Sequence, residues 1–162
     1  MAFEVWPANP SLNWRLVTDA VMGGVSRGMI TKEIIEGRAA IRVRGNVSTD
    51  NNGGFIQIAL DLSPETGLFD AVAFTGLEID LRGNYESYSA HLPTMELTRP
   101  QQSYRQSFVT RPNWQTLKLP FDQFTPHRID IPLNTKRLRR IGLVAIGREF
   151  TADFAVARLA FY

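Results

Sequence analysis

The 162-residue sequence contains no cysteine. That absence excludes disulfide frameworks, thiolate nucleophiles, Cys-ligated zinc and iron–sulfur clusters. Histidine is nearly as scarce: His91 and His127 are the only two, and they do not form a His-x-x-x-His metal spacing. No apolar run approaches the roughly 18 residues of a spanning helix, so no membrane insertion is expected. Residues Met1 to Pro10 lack a basic stretch followed by an apolar one, so no signal peptide is read and a cytoplasmic location is expected. Catalytic signatures are missing as well. There is no Gly-x-Ser-x-Gly elbow, no Walker A lysine and no Gly-x-Gly-x-x-Gly loop.

What is present is a globular composition, 44% hydrophobic and 21% charged, at a length suited to a single domain over residues 1–162. A chain of this size buries enough surface to fold without staples. The net charge of +2 is unevenly placed. Residues 1–126 carry −2, and residues 127–162 carry +4, centred on Lys136, Arg137, Arg139 and Arg140. Arginine supplies 15 of the 18 basic residues, which favours bidentate contact with carboxylate or phosphate. Such a patch suits RNA or an acidic protein. It is equally what the solvated start of a strand looks like when its arginines pair with local acids.

Period-two alternation runs along most of the chain. Ile41 and Val43 are expected inward with Arg42 and Arg44 outward. Ile56, Ile58 and Leu60 alternate with Gln57 and Asp61. Leu77, Ile79 and Leu81 alternate with Glu78, Asp80 and Arg82, and Tyr104, Gln106 and Phe108 with Ser103, Arg105 and Ser107. The unbroken apolar stretch from Ile141 to Ile146 predicts a central strand, and Phe154 to Tyr162 a closing one. Asn51-Asn52-Gly53-Gly54 predicts a tight connection, and only a short helical turn is expected near Leu119 to Phe124. The fold class is all-β, an antiparallel jelly-roll β-sandwich.

One ordered set of motifs carries a resemblance. It runs from Trp14-Arg-Leu-Val-Thr-Asp19-Ala-Val-Met22-Gly23-Gly24-Val-Ser26 through Asn52-Gly53-Gly54-Phe55, Gly83-Asn84-Tyr85 and Trp114 to Leu119-Pro120-Phe121-Asp122-Gln-Phe124. Over residues 11–162 the chain resembles the complex I intermediate-associated protein family, the thirty-kilodalton assembly factor and its bacterial stand-alone relatives. The resemblance implies a galactose-binding-domain-like jelly roll related to some carbohydrate-binding modules. It also implies a non-enzymatic, chaperone-like role in assembling a larger complex, with a complex subunit or assembly intermediate as partner. Some relatives in photosynthetic lineages act on RNA or photosystem biogenesis. Between Phe124 and Leu138 this chain lacks the glycine that the family pattern would place near Arg128.

The motif residues have physical roles of their own. Gly23 and Gly24 suit a crowded turn. Asp19 and Ser26 can bond that turn's backbone and hold it shut, and Met22 can fill an irregular gap beneath it. Gly53, Gly54 and Phe55 extend the same loop cluster, which is either structural or in contact with a partner. One aspartate beside two glycines offers too few oxygens for calcium, which takes six to eight. No catalytic residue, metal or cofactor is expected.

A second candidate is a polar face. Arg44, Gln57, Glu78, Asp80, Tyr85, Tyr88, His91 and Arg105 converge on one sheet if the strand order allows. The tyrosines would then serve as sugar platforms, which gives a glycan-binding alternative; a salt-bridged solvated sheet gives the same pattern. Glu78 and Asp80 also share a strand face as a glycosidase pair would, although such acids are ordinary beside arginines. RNA binding by stacking has no RNP-type motif behind it.

Overall fold

The computed structural model describes residues 2–9, 12–52, 54–63, 67–93 and 102–162, with Met22 and Asn52 described by their backbone alone. Twelve strands form: β1 (Phe3–Trp6), β2 (Trp14–Thr18), β3 (Arg27–Ile35), β4 (Arg38–Val47), β5 (Phe55–Asp61), β6 (Gly76–Gly83), β7 (Ser87–Leu92), β8 (Ser103–Val109), β9 (Gln115–Pro120), β10 (Thr125–His127), β11 (Arg140–Ile146) and β12 (Phe150–Phe161). No α-helix occurs among the described residues. Short 3₁₀ turns stand at Asp19–Met22, Asp50–Asn52, Phe121–Gln123 and Thr135–Arg137.

The first sheet has the order β3-β4-β12-β6-β9, with β1 also paired to β12; the second has the order β10-β8-β7-β11-β5-β2. Among consecutive strands, only β3–β4 and β7–β8 are partners. Most other connections cross between the sheets, which makes the architecture a jelly-roll sandwich rather than a meander. The connection expected to be tight at 51–54 is one of these crossings, from β4 in the first sheet to β5 in the second.

The alternation holds strand by strand. Val43, Ile56, Ile58, Leu60, Leu77, Ile79, Leu81, Tyr104, Ile141 and Leu143 are all fully buried between the sheets. Strand β11 lies in the middle of the second sheet, between β7 and β5, and Ile141 to Ala145 are buried whichever face they occupy, so its sequence needs no alternation.

Strand β12 is the closing strand expected at 154–162, beginning four residues earlier, at Phe150. It is central, with β4 and β1 in series along one edge and β6 along the other. A bulge at Ala157 shifts the register, so that Val156 opposes Leu81 and Arg158 opposes Asp80. The extra residue changes the facing phase. Phe154 and Val156 point inward before it, and Leu159 and Phe161 after it.

Candidate functional site

The motif loop is built around a buried carboxylate. Asp19 has no exposed surface and opens the 3₁₀ turn Asp19–Met22, with the Thr18 hydroxyl capping it by accepting from the Ala20 N–H. Its Oδ1 accepts the Ser26 N–H at 3.0 Å. Its Oδ2 accepts the Ser26 hydroxyl, the Gly54 N–H at 2.6 Å and the Phe55 N–H at 3.2 Å. Ser26 Oγ in turn accepts the Ser48 N–H at 2.8 Å.

One side chain therefore ties the turn after β2, the start of β3 and the crossing from β4 to β5. Burial pushes the Asp19 carboxyl up, but the bonds from Ser26, Gly54 and Phe55 outweigh it and hold the group below its ordinary value. The glycines complete the loop. Gly23 is left-handed at φ 83°, and a Cβ on Gly24 would lie 2.4 Å from Asp19 Cγ. Of the remaining motif residues, Gly53 and the Met22 side chain lie outside the described residues.

This locked loop and the start of β3 present apolar side chains to solvent. Val21 is 74% exposed, Met29 53% and Val25 46%. Val21 lines an open cavity of about 580 Å³ together with Leu16, Val17, Thr18, Ser26, Arg27 and Gly28. The cavity opens where β2, an edge of the second sheet, runs beside β3, an edge of the first. Val21, Val25 and Met29 were missed by the sequence reading. For Val21 and Val25 the signal was branched apolar residues beside the Gly23-Gly24 pair, and for Met29 an apolar residue in the outward phase of β3.

The eight residues of the expected polar face do not share one sheet. Arg44, Glu78 and Asp80 stand on the first sheet, and Gln57, His91 and Arg105 on the second. Tyr88 points inward and is 2% exposed, packed on Phe154 at 4.6 Å between ring centres. Tyr85 lies in the β6–β7 connection, exposed and left-handed at φ 69°. Convergence fails because alternation fixes which way a side chain points but not which sheet its strand joins.

Glu78 and Asp80 do share the outer face of the first sheet, as tightly held structural acids. Asp80 pairs with Arg38 at 2.8 Å and accepts the Thr116 hydroxyl at 2.7 Å. Glu78 pairs with Arg158 at 3.3 Å. Elsewhere on that sheet Arg44 meets Glu33 at 3.6 Å.

On the second sheet, His91 faces Arg105 across the β7–β8 ladder. Burial, followed by the charges of Arg105 and His127, pushes the His91 imidazole down to about 3, so it is neutral at physiological pH. The basic run is divided by the fold. Lys136 and Arg137 are exposed in the Thr135–Arg137 turn, and Leu138 plugs into the interior. Arg139 is half-buried, and Arg140 opens β11 within 3.5 Å of Asp61.

Comparison with known proteins places these features. The family model described as complex I intermediate-associated protein 30 matches residues 3–157. Comparison with curated proteins finds no match. Among solved structures, the chain is similar to a family 11 carbohydrate-binding module from Clostridium thermocellum in complex with a β-1,3-1,4-mixed-linked tetrasaccharide. The TM-score is 0.77 at 13% identity, covering 99% of this chain and 94% of that one. It is also similar to a family 30 carbohydrate-binding module of a cellulosomal cellulase from the same organism, with TM-score 0.70 at 10% identity, covering 100% and 97%. At these identities the likeness concerns the fold alone.

Proposed function

This chain belongs to the complex I intermediate-associated protein 30 family, and we propose that it is a non-catalytic binding module that engages a subunit or assembly intermediate of a larger complex. One observation carries the reading: the Asp19-locked loop and the start of β3 hold Val21, Val25 and Met29 in solvent, with Val21 lining an open cavity. A loop stapled by a buried carboxylate loses little conformational entropy on binding, and exposed apolar groups supply the driving force. Residues 1–162 act as one unit in this reading. No helix among the described residues is long and apolar enough to cross a membrane, so contact with a membrane complex would run through its protein subunits.

The test is affinity capture of the tagged chain from the organism that encodes it, followed by mass spectrometry. Enrichment of complex subunits or biogenesis factors is expected. Recovery of none counts against the reading. Glycan binding draws support from the fold likeness, but the second sheet's outward positions carry no Trp or Tyr among the described residues, and Tyr88 is a core residue. No observation favours it over partner binding.

A further inference from the structure

We propose that Arg105, His91, His127 and Arg128, on the outer face of the second sheet, form a site that takes the carboxylates of an acidic segment of the partner protein. The inference rests on the partner-binding reading and names a second contact for it.

The two outer faces differ in how their charges are paired. On the first sheet Arg38, Arg42, Arg82 and Arg158 each meet a carboxylate within 3.3 Å. On the second, Arg15 and Arg140 share Asp61 at 3.1 and 3.5 Å. Arg105 and Arg128 meet no carboxylate among the described residues. The only hydrogen bond of the Arg105 side chain there is from Nε to Ser103 Oγ, at 2.8 Å.

These groups are neighbours. The register sets His91 opposite Arg105 between β7 and β8, and Thr125 and His127 opposite Arg105 and Ser103 between β8 and β10. Arg128 follows directly, exposed and left-handed at φ 58°. On its other flank His91 opposes Gly142, which contributes no side chain. Arg105 is half-buried, and burial and the Arg128 charge together lower its affinity for its proton. The fold thus holds like charges together without a counter-ion among the described residues, an arrangement that an incoming anion relieves.

A second observation points the same way. His91 is more than nine-tenths buried, and its Nε2 has no hydrogen-bond partner. Buried polar atoms are nearly always paired. Nε2 itself is covered, so in its Nε2–H tautomer the ring donates to a carboxylate oxygen, beside the planar fork of Arg105, once the groups over it move aside.

Three features select a protein carboxylate over a nucleic acid. The cluster is compact rather than a stripe that would track a phosphate backbone. The outward positions of β2, β5, β7, β8, β10 and β11 hold no Trp or Tyr among the described residues, so the largest stacking platforms for bases are missing there. Arginine geometry suits carboxylates bidentately.

The test uses the full chain with fluorescein-labelled hexaglutamate as probe, read by anisotropy and by the imidazole NMR signals of His91 and His127. Saturable binding that moves both rings and weakens about tenfold in Arg105→Gln is expected. Arg128→Gln, at an exposed position, gives a smaller loss and stands in if the first variant does not fold. Unmoved rings, or unchanged affinity in the variants, would overturn the site. So would inorganic phosphate moving the rings as far as the peptide, or an oligouridylate binding more tightly through the same residues. Complex subunits captured undiminished by Arg105→Gln also overturn it while leaving the partner-binding reading intact. If the wild-type chain captures no subunit, that reading falls, and the hexaglutamate result still decides the site.

Discussion

The carboxyl carbon of Asp19 stands 2.4 Å from where a Cβ on Gly24 would be, so the two positions of the motif are set by one contact. Gly24→Ala must push the carboxylate away from the N–H groups of Ser26, Gly54 and Phe55, or shift the turn. A loss of about 2–3 kcal/mol is expected from overpacking and broken bonds, read as a lower urea midpoint at unchanged slope.

Acid should act through the same carboxylate. Its folded proton affinity lies below the ordinary aspartate value of 3.8, so its contribution is fully present above that pH and is lost as pH falls through the lower folded value. Stability measured by thermal melts should therefore decline below about pH 4, and the Asp19→Asn variant should show a shallower decline from a lower starting point.

Tyr88 links the sheets. Its hydroxyl donates to Asn84 Oδ1 at 2.6 Å and accepts the Asp153 N–H of β12 at 2.9 Å, and burial pushes the phenol up to about 12. Tyr88→Phe keeps the ring packing and strands both partners, at a cost of roughly 1–2 kcal/mol. Equilibrium denaturation checks this.

The β3–β4 hairpin turns on Glu36 and Gly37, both left-handed at φ 45° and 81°. A two-residue turn of this kind prefers Asn first and Gly second. Glu36 pairs with Arg82 at 3.2 Å but its side chain is 67% exposed, so that pair adds little. Glu36→Asn should raise stability by about 0.5 kcal/mol, seen as a small upward shift in melting temperature.

Much of the interior was legible in the sequence because period-two alternation is a local property. Ile56, Ile58 and Leu60 had to face one way whatever their neighbours. That Asp19 and Ser26 can bond the backbone of their turn was legible, though not the bond between their side chains. The partition of strands between sheets was not. Gln57 and Glu78 both face outward, but on opposite sides of the sandwich, a consequence of long-range pairing. The β12 bulge was hidden for the same reason: Ala157 becomes an extra residue only against β6. Arg105 and Arg140 looked alike in sequence, and only the fold brings Asp61 to one and not the other.

The central claim is that the surface presented by the Asp19-locked loop contacts the partner, and capture with a Val21→Asp, Val25→Asp double variant tests it most directly. Both side chains are exposed, so the melting temperature should stay within a few degrees of wild type. The account predicts recovery of complex subunits at least tenfold below the wild-type chain. Undiminished recovery by a folded double variant would contradict it.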